Sequence, residues 1–543
     1  MRKTWVLLAT SSALNVGDAG ADYSELVAIY QDAVTAREPT LVDGLPDPRP
    51  STLSAERHAS EKLRQRFDGI DPAAWPVSQK IDYLLVRSLL DGWDFDYRVV
   101  RNPSRNPGHY LNGIQGIPYV GLPASDDELE KLRIKLRAIP GVLEQGKKNL
   151  KERSPALSRI TVRNLELDVG VSHGEPQRDV PPAGIIGWFR DLEQRLAKHH
   201  PNLSADAEAA RSALESYRDW LRRDPGRADA PPGVGRDEFD WYLKNARLIP
   251  FTADQILAFA TQEFQRMQAM LAWERHRNRD VPELEPVGSA EEYARRKEEA
   301  ERHIRTFLVD QGILSVPEDL PNFTKERERS HPWVERPSGK RNLWEEIQYR
   351  DPRPDLVHTV IPGHAFDDYV RKGPTPIRED FRDRAAREGW SLYVEEMLLR
   401  AGLLDELPRT RELILNFLIA RSARCIVNIK LQLNQFTVED AVRFLAESVP
   451  FNSQEGYRID AELYDMLRRP TYAINWYVGK VQIDRLVADR SRQLGVEFDL
   501  REFHDGFLAA GAIPVALVRW EMTGLDDEIQ TFRDAELLQG EKK

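Results

Sequence analysis

The sequence has one cysteine, few strand-like patterns and no long apolar run. Only Cys425 carries a thiol among 543 residues, which excludes an internal disulfide, and its apolar neighbours predict a buried side chain. Lys and Arg number 77 against 88 Asp and Glu, and the resulting net charge of −11 disfavours a nucleic-acid partner. No apolar stretch reaches the roughly 20 residues of a membrane span, so we expect no integral membrane segment.

The spacing of apolar residues along the sequence is that of α-helices. Apolar residues recur at spacings of three and four, as in Ile81, Leu85 and Leu89, whereas strict alternation is scarce. Thr252 and Gln255 have the spacing of a capping box ahead of a helix. No repeat of fixed period is present, which disfavours a solenoid. The sequence therefore predicts a mainly α fold, a large multi-helix domain with few short strands.

The first 21 residues have the order of a secretory signal peptide. Basic Arg2 and Lys3 precede an apolar stretch from Trp5 to Leu14, and small residues precede a cleavage site after Ala21. We therefore expect an exported protein, periplasmic or secreted. The alternative is a frayed cytoplasmic N-terminus, since the apolar stretch is short.

The remaining chain divides by composition into two parts. A charged, helix-like run from residue 291 to 307 and a polar, proline-bearing stretch from 317 to 354 separate the N-terminal helices from the last third. We expect an N-terminal helical lobe over residues 22–300. A C-terminal helical lobe over residues 301–543 would carry the segments that resemble a metal site.

Two histidines flank a Pro-Gly pair in the C-terminal part. His358 and His364 are six residues apart, so on an undistorted helix they would lie about 9 Å apart along the axis and on different faces. They can share a metal ion only if Pro362 and Gly363 bend the chain. Spacing alone favours structural or surface histidines, because a catalytic zinc ion needs three protein ligands.

A carboxylate that could be the third ligand follows one helix later. Glu388 and Glu395 are two helical turns apart and therefore lie on the same face. Trp390 and Tyr393 between them predict that at least one carboxylate is partly buried and needs a cation or a metal as its partner. The alternative is a solvated acidic stripe on an amphipathic helix.

The order of these segments resembles a known bacterial family. The resemblance runs from about residue 240 to residue 520, and the combination is more specific than any one segment. The landmarks are His358 with Pro362, Gly363 and His364; Glu388, Gly389 and Trp390 with Leu392, Tyr393 and Glu395; residues 498–501 with Phe503, His504 and Asp505; and Gly511 with Pro514. This chain is similar to the family named domain of unknown function 885, which is related to helical zinc peptidases of the gluzincin type.

The resemblance implies a metallopeptidase-like fold with a central cleft and one zinc ion held by His358, His364 and Glu388. It also implies that the family motif reads His-Glu-x-x-Pro-Gly-His-His, in which the glutamate is the general base. This chain has Thr359 at the glutamate position and Ala365 in place of the last histidine. A hydroxyl cannot accept a proton near neutral pH as a carboxylate does, and a general base contributes a factor of roughly 10² to 10⁴.

The resemblance also places candidate substrate-binding residues. Arg424 fits the family pattern, whereas Asp465 stands where the family has an arginine suited to a carboxylate. Tyr472 and Tyr477 could line the pocket, although aromatic residues in helical proteins are usually core. His504, between an aromatic residue and an acid, is best interpreted as a structural group.

Three functional hypotheses remain open. The first is an exported zinc-dependent hydrolase that acts on a peptide or amide-containing small molecule, with Glu395, Glu396 or a substrate group replacing the base lost at Thr359. The second is a catalytically inactive metallopeptidase-like binding protein of the cell envelope. The third is another metal-assisted reaction in which Thr359 positions the substrate.

Overall fold

The protein, described by a computed structural model over residues 16–167, 180–326, 332–335, 341–449 and 459–532, is built from α-helices. The β-strands in these ranges are limited to β1 (Leu41–Val42) and β2 (Leu45–Pro46), an antiparallel pair in which Val42 lies opposite Leu45, and one isolated parallel bridge joins Arg382 to Ala512. The prediction of a mainly α fold with few short strands is confirmed. Residues 1–15 of the expected signal peptide lie outside the described ranges, and residues 16–21 belong to the first helix.

The helices fall into a first group before residue 225 and a second group after it. The first group comprises α1 (Val16–Ala36), α2 (Pro50–Phe67), α3 (Val77–Phe95), α4 (Asn102–Arg105), α5 (Asp126–Asn149), α6 (Pro155–Glu166), α7 (Gly184–His199) and α8 (Ser204–Arg223). A π-helical turn covers Asp96–Val100, and 3₁₀ turns cover Pro107–Leu111, Ile117–Tyr119 and Pro201–Leu203.

The second group contains the candidate site. It comprises α9 (Arg236–Asn245), α10 (Ala253–Arg277), α11 (Ala290–Asp310), α12 (Phe323–Glu326), α13 (Leu343–Gln348), α14 (Arg353–Thr359), α15 (His364–Val370), α16 (Pro376–Asp380), α17 (Arg384–Ala401), α18 (Pro408–Gln432), α19 (Val438–Ser448), α20 (Ile459–Arg468), α21 (Asn475–Leu494), α22 (Leu500–Ala509) and α23 (Val515–Thr523). Two 3₁₀ turns cover Gly495–Glu497 and Ile529–Thr531.

Local sequence signals set where some of these helices begin. The Thr252 hydroxyl accepts a hydrogen bond from the Gln255 N–H at 3.3 Å, and the Gln255 side chain accepts one from the Thr252 N–H at 2.9 Å. The predicted capping box therefore starts α10. Thr437 and Asp440 form the same reciprocal pair at the start of α19.

The larger hydrophobic core contains residues from both of the parts into which composition divides the chain. One continuous core joins Leu26 of α1 and Ile81 of α3 to Trp390, Val427 and Phe507 of the later helices. A second, smaller core is formed mainly by α5, α7 and α8. The boundary expected near residue 300 falls inside α11, whose apolar face packs in the larger core. Composition located a polar surface segment there, whereas packing joins the helices on both sides of it.

Helices α17 and α18 cross the larger core and position the site. Nearly every residue of α18 after Leu413 is buried, including Cys425, and burial raises the pKa of that thiol. On α17, Gly389 packs against Gly479 of α21, where an added Cβ would lie 2.4 Å from the Gly479 Cα. The absence of a side chain at both positions lets the two helices touch through their backbones. No helix in the described ranges combines the length and the apolar character needed to cross a bilayer.

Candidate metal centre

The three side chains predicted as metal ligands meet at one point. The Nε2 atoms of His358 and His364 lie 3.6 and 3.3 Å from Oε2 of Glu388. The ligand atoms of all three lie within 4.8 Å of one another, and no other set of three His, Cys, Asp or Glu side chains in the described ranges does so. A tetrahedral zinc ion with bonds of about 2.0–2.2 Å places its ligand atoms roughly 3.3 Å apart. The donor set and the two separations from Glu388 therefore fit zinc.

A sharp bend between α14 and α15 brings the two histidines together. Helix α14 ends at Thr359, α15 begins at His364, and the two imidazole rings lie 4.8 Å apart between their centroids. A Cβ added to Gly363 would lie 1.8 Å from the His358 carbonyl oxygen, so only glycine fits this turn. The bend required by the six-residue spacing is thus present.

Helix α17 is fastened to this bend. Trp390 donates its indole N–H to the Pro362 carbonyl at 2.8 Å, and the helix starts with the Asp383 carboxylate accepting the Ala386 N–H at 2.8 Å. Glu388 lies one turn after the cap and projects towards the histidines. The exposed side-chain fraction rises from 10% for His358 to 22% for His364 and 29% for Glu388. Exposure to solvent therefore increases from His358 to Glu388, and a catalytic zinc ion would need one coordination position left open to water.

Glu395 orients the first histidine from behind. Its Oε1 lies 2.6 Å from His358 Nδ1, and Arg421 donates to its Oε2 at 3.0 Å. Because Nδ1 is directed at Glu395 in this contact, Nε2 is the nitrogen directed at Glu388, and it would offer its lone pair to a bound metal ion. Ser391 lies 3.2 Å from Nδ1 of His364 and can fix that ring in the same way. The prediction that Glu388 and Glu395 share one helix face is confirmed.

The charges of this cluster depend on one another. Burial opposes ionisation of Glu388, but hydrogen bonds from His358 and His364 outweigh it and hold the pKa of that carboxyl well below its usual range. Burial and Arg421 disfavour the charged His358 ring, but Glu395 and Glu388 outweigh them and raise the pKa of His358. The carboxylates thus attract positive charge to the point where the ligand atoms meet, and a divalent cation can supply it.

The other two candidates for proton transfer, Thr359 and Glu396, make their contacts with groups outside the ligand triad. The Thr359 hydroxyl donates within its own helix, to the Asp355 carbonyl at 2.9 Å and within 3.2 Å of the Asp355 carboxylate. Glu396 contacts three cations, with Lys480 at 3.0 Å, Arg266 at 2.9 Å and Arg400 at 2.7 Å. These contacts outweigh the burial of Glu396 and lower its pKa to about 2. Glu396 therefore faces away from the ligand triad, although it is adjacent to Glu395.

The predicted substrate-binding residues form two groups. Arg424 pairs with Glu462 at 2.6 Å and stacks on Trp476 at 4.3 Å, and the Tyr472 ring lies 6.0 Å from its guanidinium. Tyr477 is a core residue that donates to the Leu418 carbonyl at 3.1 Å. The structure therefore brings Arg424 and Tyr472 together and places Tyr477 apart from them.

The loop that carries Tyr472 is held by two amides. Asn428 accepts the Ala473 N–H at 2.7 Å and donates to the Pro470 carbonyl at 3.0 Å, while Gln432 donates to the Met466 carbonyl at 2.6 Å. Asp465 pairs with arginines of its own segment rather than with the ligand triad. These residues shape the backbone beside the site.

His504 is a structural histidine, as its neighbours predict. Its Nδ1 donates to the Ile313 carbonyl at 2.8 Å, and its Nε2 accepts from the Tyr393 hydroxyl at 2.9 Å. Burial lowers the pKa of His504 to about 4. A neutral ring with both nitrogens satisfied has no lone pair left for a metal.

Sequence reasoning missed Arg421 and Ser391. An arginine within the apolar run of α18 is a usable signal, because a buried guanidinium requires a carboxylate partner. The signal does not say which carboxylate, since Glu395 is 26 residues away. Ser391 carries no distinguishing pattern.

Comparison with known proteins places the chain in a family. Residues 33–304 and 354–522 match the family described as "Bacterial protein of unknown function (DUF885)". The chain belongs to this family. The second matched range contains His358, His364 and Glu388, so the resemblance inferred from the motifs is confirmed at the level of the family. No curated protein matches the sequence.

Two solved structures share the fold. A protein from Shewanella oneidensis, described as "a putative lipoprotein of unknown function", superposes with a TM-score of 0.66 at 16% identity, covering 94% of this chain and 100% of that one. A "putative lipoprotein" from Colwellia psychrerythraea gives 0.65 at 15% identity, covering 93% and 98%. The whole architecture, rather than one lobe, is therefore common to these proteins.

Proposed function

We propose that this protein is an exported zinc-dependent hydrolase that acts on a peptide or amide bond. The observation that carries the proposal is the convergence of His358, His364 and Glu388 with Glu395 behind His358. Two neutral imidazoles and one carboxylate are a usual donor set of zinc hydrolases of the gluzincin type, and water and substrate would approach from the side of the partly exposed Glu388. A carboxylate that accepts a hydrogen bond from a metal-binding histidine orients that histidine.

The roles of the residues follow from these contacts. When bound, zinc lowers the pKa of a coordinated water to about 7 and polarises the carbonyl oxygen of the substrate. His358, His364 and Glu388 would hold the ion, and Glu395 with Arg421 would keep His358 in the tautomer that binds. No described carboxylate outside this set contacts the triad. We therefore expect slow hydrolysis, in which solvent or a substrate group accepts the proton.

The export part of the proposal rests on the first 21 residues. Their order of basic, apolar and small residues is that of a signal peptide. The structures from Shewanella and Colwellia are each described as a "putative lipoprotein", which agrees with a cell-envelope location. We propose a periplasmic or secreted protein. Fractionation of cells and N-terminal sequencing of the mature chain would test it, and an intact Met1 in the cytoplasmic fraction would refute it.

Zinc content is the first test of the metal site. Native protein, purified without chelators or a metal-affinity step, is expected to hold about one zinc ion per chain. His358→Ala and Glu388→Ala should each lose it, because a catalytic zinc needs three protein ligands. The matched control is His58→Ala, which removes an exposed histidine of α2. Native protein without zinc after equilibration would refute the proposal.

Thr359→Glu is the test of chemistry. Restoring a carboxylate beside His358 should raise kcat for fluorogenic peptide amides by roughly 10² to 10⁴. Thr359→Gln has nearly the same shape without the charge and serves as the control. Equal kcat values for native protein, Thr359→Glu and Thr359→Gln would show that the missing general base does not limit the rate of hydrolysis.

A second candidate function is a zinc-containing binding protein of the cell envelope without catalysis. It is favoured by the fact that Thr359 hydrogen-bonds within its own helix and Glu396 is surrounded by three cations. Full zinc content together with no hydrolysis by either native protein or Thr359→Glu would support this alternative over the hydrolase.

A further inference from the structure

A cavity of about 360 Å³ lies between the π-helical turn after α3, the short helix α4 and the chain segment that leads into α9. Its volume falls within the roughly 300–1,000 Å³ of small-molecule sites. None of the three metal ligands lines it, so the cavity is separate from the candidate metal centre. Four arginines and three acids are among the residues that do line it.

The three acids are already paired with three of the arginines. The pairs, with contacts of 2.6 to 2.9 Å, are Arg98 with Glu238, Arg101 with Glu152, and Arg227 with Asp229. These six side chains are between 38% and 73% exposed, so the pairs form the solvent-exposed rim of the cavity. The fourth arginine, Arg105, is left without an acid, and within the described ranges it makes no ion pair.

Arg105 is the buried cation of this cavity, since only 8% of it is exposed. Its Nη1 donates to the Val99 carbonyl at 3.2 Å and its Nη2 donates to the Pro231 carbonyl at 2.7 Å. Both acceptors belong to residues that line the cavity, so the guanidinium group joins its two walls. Two neutral carbonyls engage two of the five N–H groups and leave the charge without a counter-ion. Burial, together with the charge of Arg101, lowers the pKa of Arg105.

The wall on the side of α9 is held in place by the end of α18. The Gly233 N–H donates to Oδ1 of Asn434 at 2.9 Å, and the Val234 N–H donates to Oε1 of Gln432 at 3.2 Å. A cavity whose walls are already fixed by hydrogen bonds avoids the free-energy cost of ordering them when a ligand binds.

The charges that line the cavity suit an anion with one negative charge. An unpaired buried charge destabilises a fold, and a bound anion beside it supplies the missing partner. Four arginines and three acids give the lining a charge of +1, which a monoanion balances and a dianion exceeds. The planar N–H donors of arginine match the two oxygens of a carboxylate. The volume also accommodates a small organic group attached to that carboxylate.

We propose that this cavity binds a small organic monocarboxylate, whose carboxylate group pairs with Arg105. The site is additional to the proposed hydrolase function and does not depend on the metal centre.

The experiment compares an acid with its neutral amide on the whole chain. The probes are N-acetylglycine and N-acetylglycinamide. Calorimetry is expected to give a Kd roughly 10- to 100-fold lower for the acid, as for a buried charge-assisted contact. Arg105→Gln should abolish this preference, whereas Arg105→Lys should keep part of it, because lysine retains the charge without the planar donors. Arg57→Gln, which removes an exposed arginine of α2, is the matched control.

Glu152→Gln gives a result that a misfolded variant could not produce. It removes one acid of the rim and raises the charge of the lining to +2, so the Kd of the acid should fall roughly 3- to 10-fold. Glu61→Gln, which removes an exposed acid of α2, should leave the Kd unchanged. His358→Ala should keep the preference for the acid, because His358 does not line the cavity.

Four results would overturn the proposal. The first is the absence of a preference for the acid in native protein, and the second is a preference that survives in folded Arg105→Gln. Loss of the preference in His358→Ala would instead assign the acid to the metal centre. Displacement of N-acetylglycine by inorganic phosphate at a lower concentration than by acetate would overturn the carboxylate assignment. The arginine and Glu152 variants retain all three metal ligands, so none of their results bears on the proposed hydrolase.

Discussion

Replacing Glu395 by Gln tests whether this carboxylate tunes the metal site. Glutamine has nearly the same shape as glutamate. Its carbonyl oxygen can still accept the Nδ1 proton of His358, which lies 2.6 Å from Glu395 Oε1 in the native protein. The change removes a negative charge that is fully buried, and it directs an amide group towards Arg421. Loss of such a partner behind a metal-bound histidine typically weakens metal binding 10- to 100-fold, about 1.4–2.7 kcal/mol.

The same substitution should also destabilise the fold. Arg421 is 10% exposed at its side chain and would lose its carboxylate, and an unpaired buried charge costs roughly 3–5 kcal/mol. The double variant Glu395→Gln with Arg421→Gln removes both charges. We expect it to regain part of the unfolding free energy while zinc binding stays weak. This pattern would separate the effect on the metal from the effect on folding.

Zinc affinity is measured by competition with a chromophoric chelator, and unfolding free energy by urea denaturation of the zinc-free protein. The matched control is Glu396→Gln on the same helix, whose carboxylate contacts cations rather than His358. Its zinc Kd should equal that of native protein. If Glu395→Gln binds zinc within threefold of native, or if Glu396→Gln weakens zinc equally, the orienting role of Glu395 is refuted.

Three further predictions concern packing and pH. The pKa of Glu396 is lowered to about 2, so the ionised carboxylate should stabilise the fold by about 3 kcal/mol above pH 4.5. This stabilisation should be lost as the pH falls towards 2. In urea denaturation at different pH values, Glu396→Gln should not show that loss. The pKa of His504 is lowered to about 4, so its contribution to the stability of the fold should be complete above pH 6.5 and should decrease as the pH falls to 4. His504→Gln should reduce this dependence of the melting temperature on pH. Gly363→Ala should abolish zinc binding, because its Cβ would displace His358, whereas Gly288→Ala, with open space around it, should not.

The part of the site that is local in sequence could be predicted. Helical spacing places Glu388 and Glu395 on one face, and the Pro-Gly pair identifies the bend that His358 and His364 need. These features follow from backbone geometry over a few residues, and the residue types that determine that geometry are visible in the sequence. The order of the motifs then indicated the family.

The rest depends on packing between distant segments. Glu395 and Glu396 are adjacent, and periodicity alone cannot say that one meets a histidine and the other three cations on α10, α17 and α21. Tyr477 was expected in the pocket, but its position on α21 turns its hydroxyl to a carbonyl of α18. The lobe boundary predicted near residue 300 rests on surface polarity, which does not determine which helices share a core.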